Sequence, residues 1–318
     1  MKNNFDYNDI NLIPRKCIVE SRSECDTSAK LGNFVFTSPI IPANMKAVIN
    51  EEIAIKLAEN GYFYVMHRFD IDEETFIKTM KDKNLISSIS LGVNNESYDL
   101  IEVLISKNLI PDYITIDIAH GHAIKMEEML KFLKLKLGDN SFLIAGNIST
   151  PDAARDLIQW GADAIKVGIG PGSACTTYPE TGFGSRGAQA SIVKKISNIS
   201  TVPVIADGGI KTSGEITKSI VLGATMTMVG GMMSGFIDSP GNIIQKDGKQ
   251  YKEFYGSASV ANGDKTCRIE GKHMLIDLKI ETMLEYLKKV EESLQSAISY
   301  AGGEVLNDLN EVKYFIKE

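Results

Sequence analysis

Eight short apolar runs recur along the chain, each closed by a glycine or a polar residue. They are FVFTSPIIPANM at 34–45, YFYVMH at 62–67, ISSISLGV at 86–93, YITIDIAHG at 113–121, FLIAGN at 142–147, AIKVGIG at 164–170, VPVIADGG at 202–209 and TMTMVGG at 225–231. Most are too continuously apolar for strands with one wet face and read as buried parallel strands. Between them lie segments of helical period at 51–60, 75–83, 97–107, 125–137, 151–160, 188–196 and 213–222, and a last one at 281–300. Thr150-Pro151 and Ser213 carry helix-start chemistry, and Gly161 and Gly223 helix-stop chemistry.

Eight strands alternating with helices predict right-handed βαβ units and an α/β fold closed as a (β/α)8 TIM barrel; a doubly wound open sheet is the alternative. The glycines and polar residues cluster just after the strands, which is the rim where barrel enzymes do chemistry. Two long loops break the regularity. One follows the sixth predicted strand and begins GPGSACTTYPETGFGSRG; the other follows the eighth and runs over about 238–279. Long rim loops of this kind are usually lids or binding loops. With no linker, repeat or low-complexity stretch, residues 1–318 are expected to form a single domain with rim-loop insertions after strands six and eight.

Composition narrows the function classes. A chain of 318 residues with 43% apolar side chains can bury a large core, and its net charge of −7 comes without a basic stripe, so no nucleic-acid partner is expected. An anionic ligand must then be held locally, by backbone N–H groups and helix N-termini. Residues 219–237 are uncharged for 19 positions, but glycines and threonines interrupt them, and no membrane partner is expected. Cysteines 17, 25, 175 and 267 form no CxxC pair, and MKNNFDYNDI lacks the apolar centre of a signal peptide. Reduced thiols and a cytoplasmic location are the expectation.

Three segments carry candidate chemistry. In KVGIGPGSACTT, Gly168, Gly170 and Gly172 surround Pro171, and Cys175 stands at the loop tip. Most free cysteines are small buried hydrophobes, but a polar, glycine-rich rim loop also suits a nucleophile. IADGG and MVGG end buried strands in paired glycines, Gly208-Gly209 and Gly230-Gly231. Loops after strands seven and eight of a barrel commonly hold a phosphate; ordinary tight turns are the plainer reading. Asp207 repels phosphate but suits a pair of ribose hydroxyls. DIAHGH places Asp117, His120 and His122 after the fourth strand, with no third ligand spaced for a metal. His67 and Arg68 follow the second strand and also face the rim, either as ligand contacts or as a satisfied surface pair.

At this point the chain resembles the IMP dehydrogenase/GMP reductase family. FDYNDINLIPRK, PANM, HRFD, IDIAHGH, AGNIST, KVGIGPGSACTT, TGFG, IADGG, FYGSAS and EGK occur in barrel order through nearly the whole sequence. The resemblance implies an oxidoreductase acting through a covalent bond between Cys175 and C2 of a purine nucleotide. It points to the reductase branch, which converts GMP to IMP and ammonia with NADPH in purine salvage; an IMP dehydrogenase lacking its regulatory module, or a catalytically idle purine-nucleotide-binding barrel, is the alternative. The chain is too short for the regulatory module that most dehydrogenases insert after strand two. Its only arginine between 238 and 279, Arg268, precedes Ile269 rather than the tyrosine of the dehydrogenase flap.

Carried onto this sequence, the resemblance implies Cys175, Thr177 and Glu270 as catalytic. It implies Asp207, Gly208, Gly209, Gly230, Gly231, Tyr255 and Ser257 as the GMP site, and Asp117, His67, Arg68, Ala119 and His120 as the NADPH site. A potassium ion held by the backbone carbonyls of Gly170, Gly172 and Cys175, and a homotetramer, are implied in the same way. IDIAHGH, HRFD and EGK look like the shorter bacterial-type reductases of the family; as departures, GSACTT is closer to the other reductase subgroup and to the dehydrogenases, and Cys267 and Ile269 stand where some reductases carry polar residues beside the key glutamate.

Overall fold

The computed structural model describes residues 4–256 and 272–317. The chain opens with β1 (Ile10–Leu12), then the antiparallel hairpin β2 (Ala29–Leu31) and β3 (Phe34–Phe36). Parallel strands follow: β4 (Ile40–Pro42), β5 (Ser88–Leu91), β6 (Tyr113–Asp117), β7 (Phe142–Ile148), β8 (Ala164–Val167), β9 (Val204–Asp207) and β10 (Met226–Val229). Among the described residues these seven form one parallel sheet in the order β4-β10-β9-β8-β7-β6-β5. The expected second strand is the exception. Tyr62–Val65 make no ladder, and only Met66 bridges to Ile89 of β5, its N–H donating to the Ser88 carbonyl at 3.1 Å. The sheet strands are buried almost throughout, including Ser88 and Ser90 of β5 and Lys166 of β8. This is what coverage on both faces requires.

The helices sit where the sequence period puts them, and their ends are set by side-chain caps. α1 (Glu51–Glu59) is capped by Asn50, α2 (Glu73–Asp82) by Asp72 and α3 (Asn95–Ser106) by Asn94, each side chain accepting the third helical N–H. α4 (Ile124–Leu137) starts without such a cap. α5 (Pro151–Gln159) combines a Thr150 cap with proline in its first turn. α6 (Thr177–Thr181) and α7 (Gln189–Ser197) follow β8. α8 (Ser213–Val221) begins at a capping box of Thr212 and Glu215, so Ser213 is already helical rather than the cap. Thr282 and Glu285 make the same box for α9 (Met283–Tyr300).

Two stretches position the site. Residues 168–188, between β8 and α7, carry the short helix α6. After β10 the chain builds a small antiparallel sheet of β11 (Ile243–Lys246), β12 (Lys249–Tyr255) and β13 (His273–Asp277), then enters α9. The C-terminal β14 (Tyr314–Ile316) returns to pair with β1. No described helix is long and apolar enough to cross a membrane.

Candidate active site

The carboxyl ends of the parallel strands open into a cavity of about 740 Å³, well within the usual range for a small-molecule site. Its floor is a buried polar network. Lys166, in the middle of β8 and 2% exposed, donates to Asp117 Oδ1 at 3.0 Å, to Asp207 Oδ2 at 2.6 Å and to Asn147 Oδ1. Asn44 Nδ2 donates to the other Asp117 oxygen at 2.7 Å, and Asn147 Nδ2 donates to Asp207 Oδ2 at 2.7 Å and to the Gly168 carbonyl at 2.6 Å. An ammonium has three N–H groups, and all three of this one are used.

Burying such charges is costly unless they are paired. Burial alone pushes the Lys166 ammonium down, but Asp117 and Asp207 outweigh it and hold the group above the ordinary lysine range. Burial likewise pushes the Asp117 carboxyl up, and the Lys166 cation with the Asn44 hydrogen bond overcomes it, leaving the group below the usual aspartate value. Two glycines make the network sterically possible. A Cβ on Gly146 would stand 2.6 Å from Lys166 Cβ. One on Gly168, whose φ of +147° already favours glycine, would stand 1.9 Å from the Asp207 carbonyl oxygen.

Above this floor the loop after β8 carries the thiol. Cys175 N–H donates to the Gly172 carbonyl at 3.2 Å, closing a turn that places the half-buried side chain in the cavity wall. Its Sγ donates to Thr177 Oγ1 at 3.2 Å. Thr177 is 9% exposed at the start of α6, so a nucleophile candidate and a hydroxyl share one face of the cavity. Gly208, Gly209, Gly230 and Gly231 lie on the wall as well. The Gly208 N–H already donates to the Met228 carbonyl at 3.3 Å.

The other predicted residues divide. Asp117, Arg68 and Ala119 line the main cavity with Asp207, Gly170 and Gly172. His67 and Tyr255 line a neighbouring cavity of about 540 Å³ that shares Phe69 with the first. His67 is 3% exposed, its Nδ1 accepting the Phe69 N–H at 3.2 Å. Burial and then the Lys46 cation, opposed by Asp70, depress its pKa to about 4, so it is neutral at pH 7. Tyr255 stacks on His273, with ring centroids 6.1 Å apart. His120 is exposed and lines neither cavity, and His122 instead meets Asp156 at 2.7 Å beside Trp160. Ser257 and Glu270 lie outside the described residues, as do Cys267, Arg268 and Ile269.

Lys166, Asn147 and Asn44 are absent from the residues the sequence singles out. One signal was available: a lysine inside an otherwise apolar, fully buried strand, AIKVG, is rare unless it is paired. Lys279 is another addition to the cavity wall. Its ammonium lies 4.1 Å from the Phe236 ring centroid and donates to the Met232 carbonyl at 3.2 Å, and burial pushes its pKa down.

The family model for the IMP dehydrogenase / GMP reductase domain matches residues 4–318. Similar proteins include the GMP reductase of Mesoplasma florum, 53% identical over 312 residues, covering 98% of this chain and 97% of that protein. The GMP reductase of Bacillus subtilis (strain 168) is 52% identical over 317 residues, covering 99% and 97%.

Proposed function

This chain belongs to the IMP dehydrogenase/GMP reductase family, and from that premise we propose that it is an NADPH-dependent reductase converting GMP to IMP and ammonia. The observation that carries the chemistry is the pairing of Cys175 Sγ with Thr177 Oγ1 at 3.2 Å, in a cavity floored by a clamped ribose-type carboxylate. The seven parallel strands and the 62–67 segment are read as a closed (β/α)8 barrel, one domain over 1–318, with the two long rim loops as insertions.

The residues divide the work as follows. Asp207 receives the ribose hydroxyls, and Gly209, Gly230 and Gly231, with Gly208 as the weakest donor of the four, hold the phosphate together with Tyr255 and Ser257. Cys175 sulfur bonds to purine C2, and the C2–N bond to the exocyclic amine then breaks. Amine expulsion needs a proton, and a threonine hydroxyl alone is too weak an acid to supply it. Thr177 therefore relays a proton from Glu270, the carboxyl that the family resemblance implies as its partner. When bound, the nicotinamide cofactor supplies a hydride to C2, after which the carbon–sulfur bond breaks and IMP leaves. Asp117, Arg68, Ala119 and Phe69, all on the main cavity wall, are the residues that would border that ligand; His67 lines the neighbouring cavity, and His120, which lines neither, has no such contact to offer from its position.

A potassium ion suits the loop chemically. The carbonyls of Gly170, Gly172 and Cys175 are neutral oxygens, a donor set that favours monovalent over divalent ions. Gly172 O keeps one lone pair beyond its bond to Cys175 N–H. A homotetramer in the cytoplasm completes the reading; it rests on the family resemblance and the cysteine usage. The deciding assay follows NADPH absorbance with GMP while measuring ammonia. One ammonia and one IMP per NADPH consumed is expected. Conversion of IMP to XMP with NAD at a rivalling rate would place the chain in the dehydrogenase branch.

A further inference from the structure

The buried cation Lys166 has no part in the chemistry above, yet its contacts decide how Asp207 meets a ligand. Asp207 Oδ2 accepts both Lys166 Nζ at 2.6 Å and Asn147 Nδ2 at 2.7 Å. No hydrogen bond to Asp207 Oδ1 occurs among the described residues, although the side chain is 17% exposed and belongs to the cavity wall. A carboxylate gripped through one oxygen by two donors cannot rotate without breaking both. The gripped oxygen is unavailable to a ribose, so a vicinal diol is left with Oδ1 alone. The same ammonium holds Asp117 at 3.0 Å, and Asn44 holds the far oxygen of that group.

We infer that Lys166, with Asn147 as its second clamp, is a positioning residue that presents Asp207 Oδ1 to the nucleotide sugar and thereby sets discrimination between ribo- and deoxyribonucleotides. The inference rests on the purine-nucleotide reading of the site and adds to it the origin of sugar selectivity. Charge-assisted hydrogen bonds depend on aim. Without the clamp, Asp207 is free to turn toward solvent or toward Asn147, and the ordering cost of binding a diol falls on the nucleotide. An aimed carboxylate rejects the sugar lacking a hydroxyl because its own lone pair is then left unmet. A wandering carboxylate loses that leverage while the phosphate and base contacts remain.

The test is the ratio of KM values for 2′-deoxy-GMP and GMP, with dissociation constants from calorimetry alongside. Discrimination on the order of 10–100-fold is expected for the native chain. In Lys166→Met, which keeps side-chain length and removes the charge, the ratio should fall to within about threefold of unity. Most of that change should come from weaker GMP rather than tighter 2′-deoxy-GMP. Two further variants cover the case in which unpaired buried carboxylates prevent folding. Lys166→Met combined with Asp117→Asn removes one charge of each sign and should show the same collapse. Asn147→Ala deletes the second clamp, together with the Asn147 bonds to Lys166 Nζ and the Gly168 carbonyl, but leaves the Lys166–Asp207 contact in place, and should give an intermediate ratio.

A general scaffold role for Lys166 would weaken both nucleotides alike and leave the ratio untouched. The inference is overturned if any of these variants that folds, as judged by circular dichroism and thermal melting, retains the native ratio. The two levels fail differently. A native chain that binds neither nucleotide removes the purine-nucleotide reading itself. A native chain and variants that discriminate equally remove only the assignment to Lys166.

Discussion

The two ends of strand β6 solve opposite problems. At its start, Tyr113 sits in a dry aromatic cluster: Phe63, Phe142 and Phe36 lie 4.8, 5.4 and 6.1 Å from it, and its hydroxyl donates to the Leu31 carbonyl at 2.7 Å. At its end, four residues on, Asp117 shares Lys166 with Asp207 among buried charges. The aromatic end gains stability by removing apolar area from water and filling space. The polar end gains less in stability, because desolvation offsets much of the Coulomb attraction. What it gains is fixed geometry at the mouth of the sheet. One sheet thus separates a stabilising end from a ligand-facing end, as barrels do.

Substitutions can break that division of labour. The largest effect is expected at Cys175. Cys175→Ala should reduce GMP turnover to background while GMP still binds with near-native affinity, measured by single-turnover assay and calorimetry; retained turnover would contradict the covalent route. Thr177→Ala should lower kcat by 10²–10⁴-fold, the scale of general acid–base catalysis. Glu270→Gln should match it, and the double variant should be little worse than either, since groups acting as a unit are non-additive. At the dry end, Tyr113→Ala should cost about 3–5 kcal/mol of unfolding free energy in urea, the scale of deleting a large buried aromatic. The kcat of the remaining folded protein should stay near native; a large loss there would blur the comparison.

Smaller effects sharpen it. His67 is buried and neutral, with its pKa lowered from 6.5 to about 4. A depressed folded pKa means that the unfolded chain takes up the proton first. The stability associated with neutral His67 is therefore complete above about pH 6.5 and is lost as pH falls toward 4. Urea titrations at pH 7.5 and 4.5 should show His67→Gln losing less stability on acidification than the native chain, by on the order of 2 kcal/mol. Asp117 acts lower on the scale. Its carboxylate is held below the ordinary range, so its contribution is present at neutral pH and disappears only as pH drops through that depressed value. The smallest effect concerns the loop cation: rates in potassium, sodium and tetramethylammonium should differ severalfold, and equal rates would remove the cation from the account.

Periodicity and turn chemistry in the sequence determined much of the protein. Largely apolar runs such as AIKV and VIAD name their own strands, because a strand covered on both faces buries nearly every side chain and can carry a charge only where that charge is paired. Thr150 ahead of Pro151 names a helix start, because orphan N–H groups need an acceptor close in sequence, and Asn50 and Asp72 meet the same need at α1 and α2. The cysteine loop and the paired glycines were legible because their chemistry is local. The second strand was overestimated: YFYVMH is as apolar as its neighbours, yet only Met66 pairs, and pairing depends on a partner edge that no local pattern encodes.

Tertiary structure alone decided the floor of the site. Asn44, Asp117, Asn147, Lys166 and Asp207 come from five different strands or the turns just after them, apart in sequence. Which lone pair of Asp207 is taken and which is left follows from where those strands converge. Folding also left His120 outside the cavity and aimed His122 at Asp156, although both histidines look equally available in DIAHGH. A sequence states which groups are present and what local backbone they prefer. Hydrogen bonds between groups 19 to 73 positions apart are fixed only when the sheet brings the strand ends within about 3 Å.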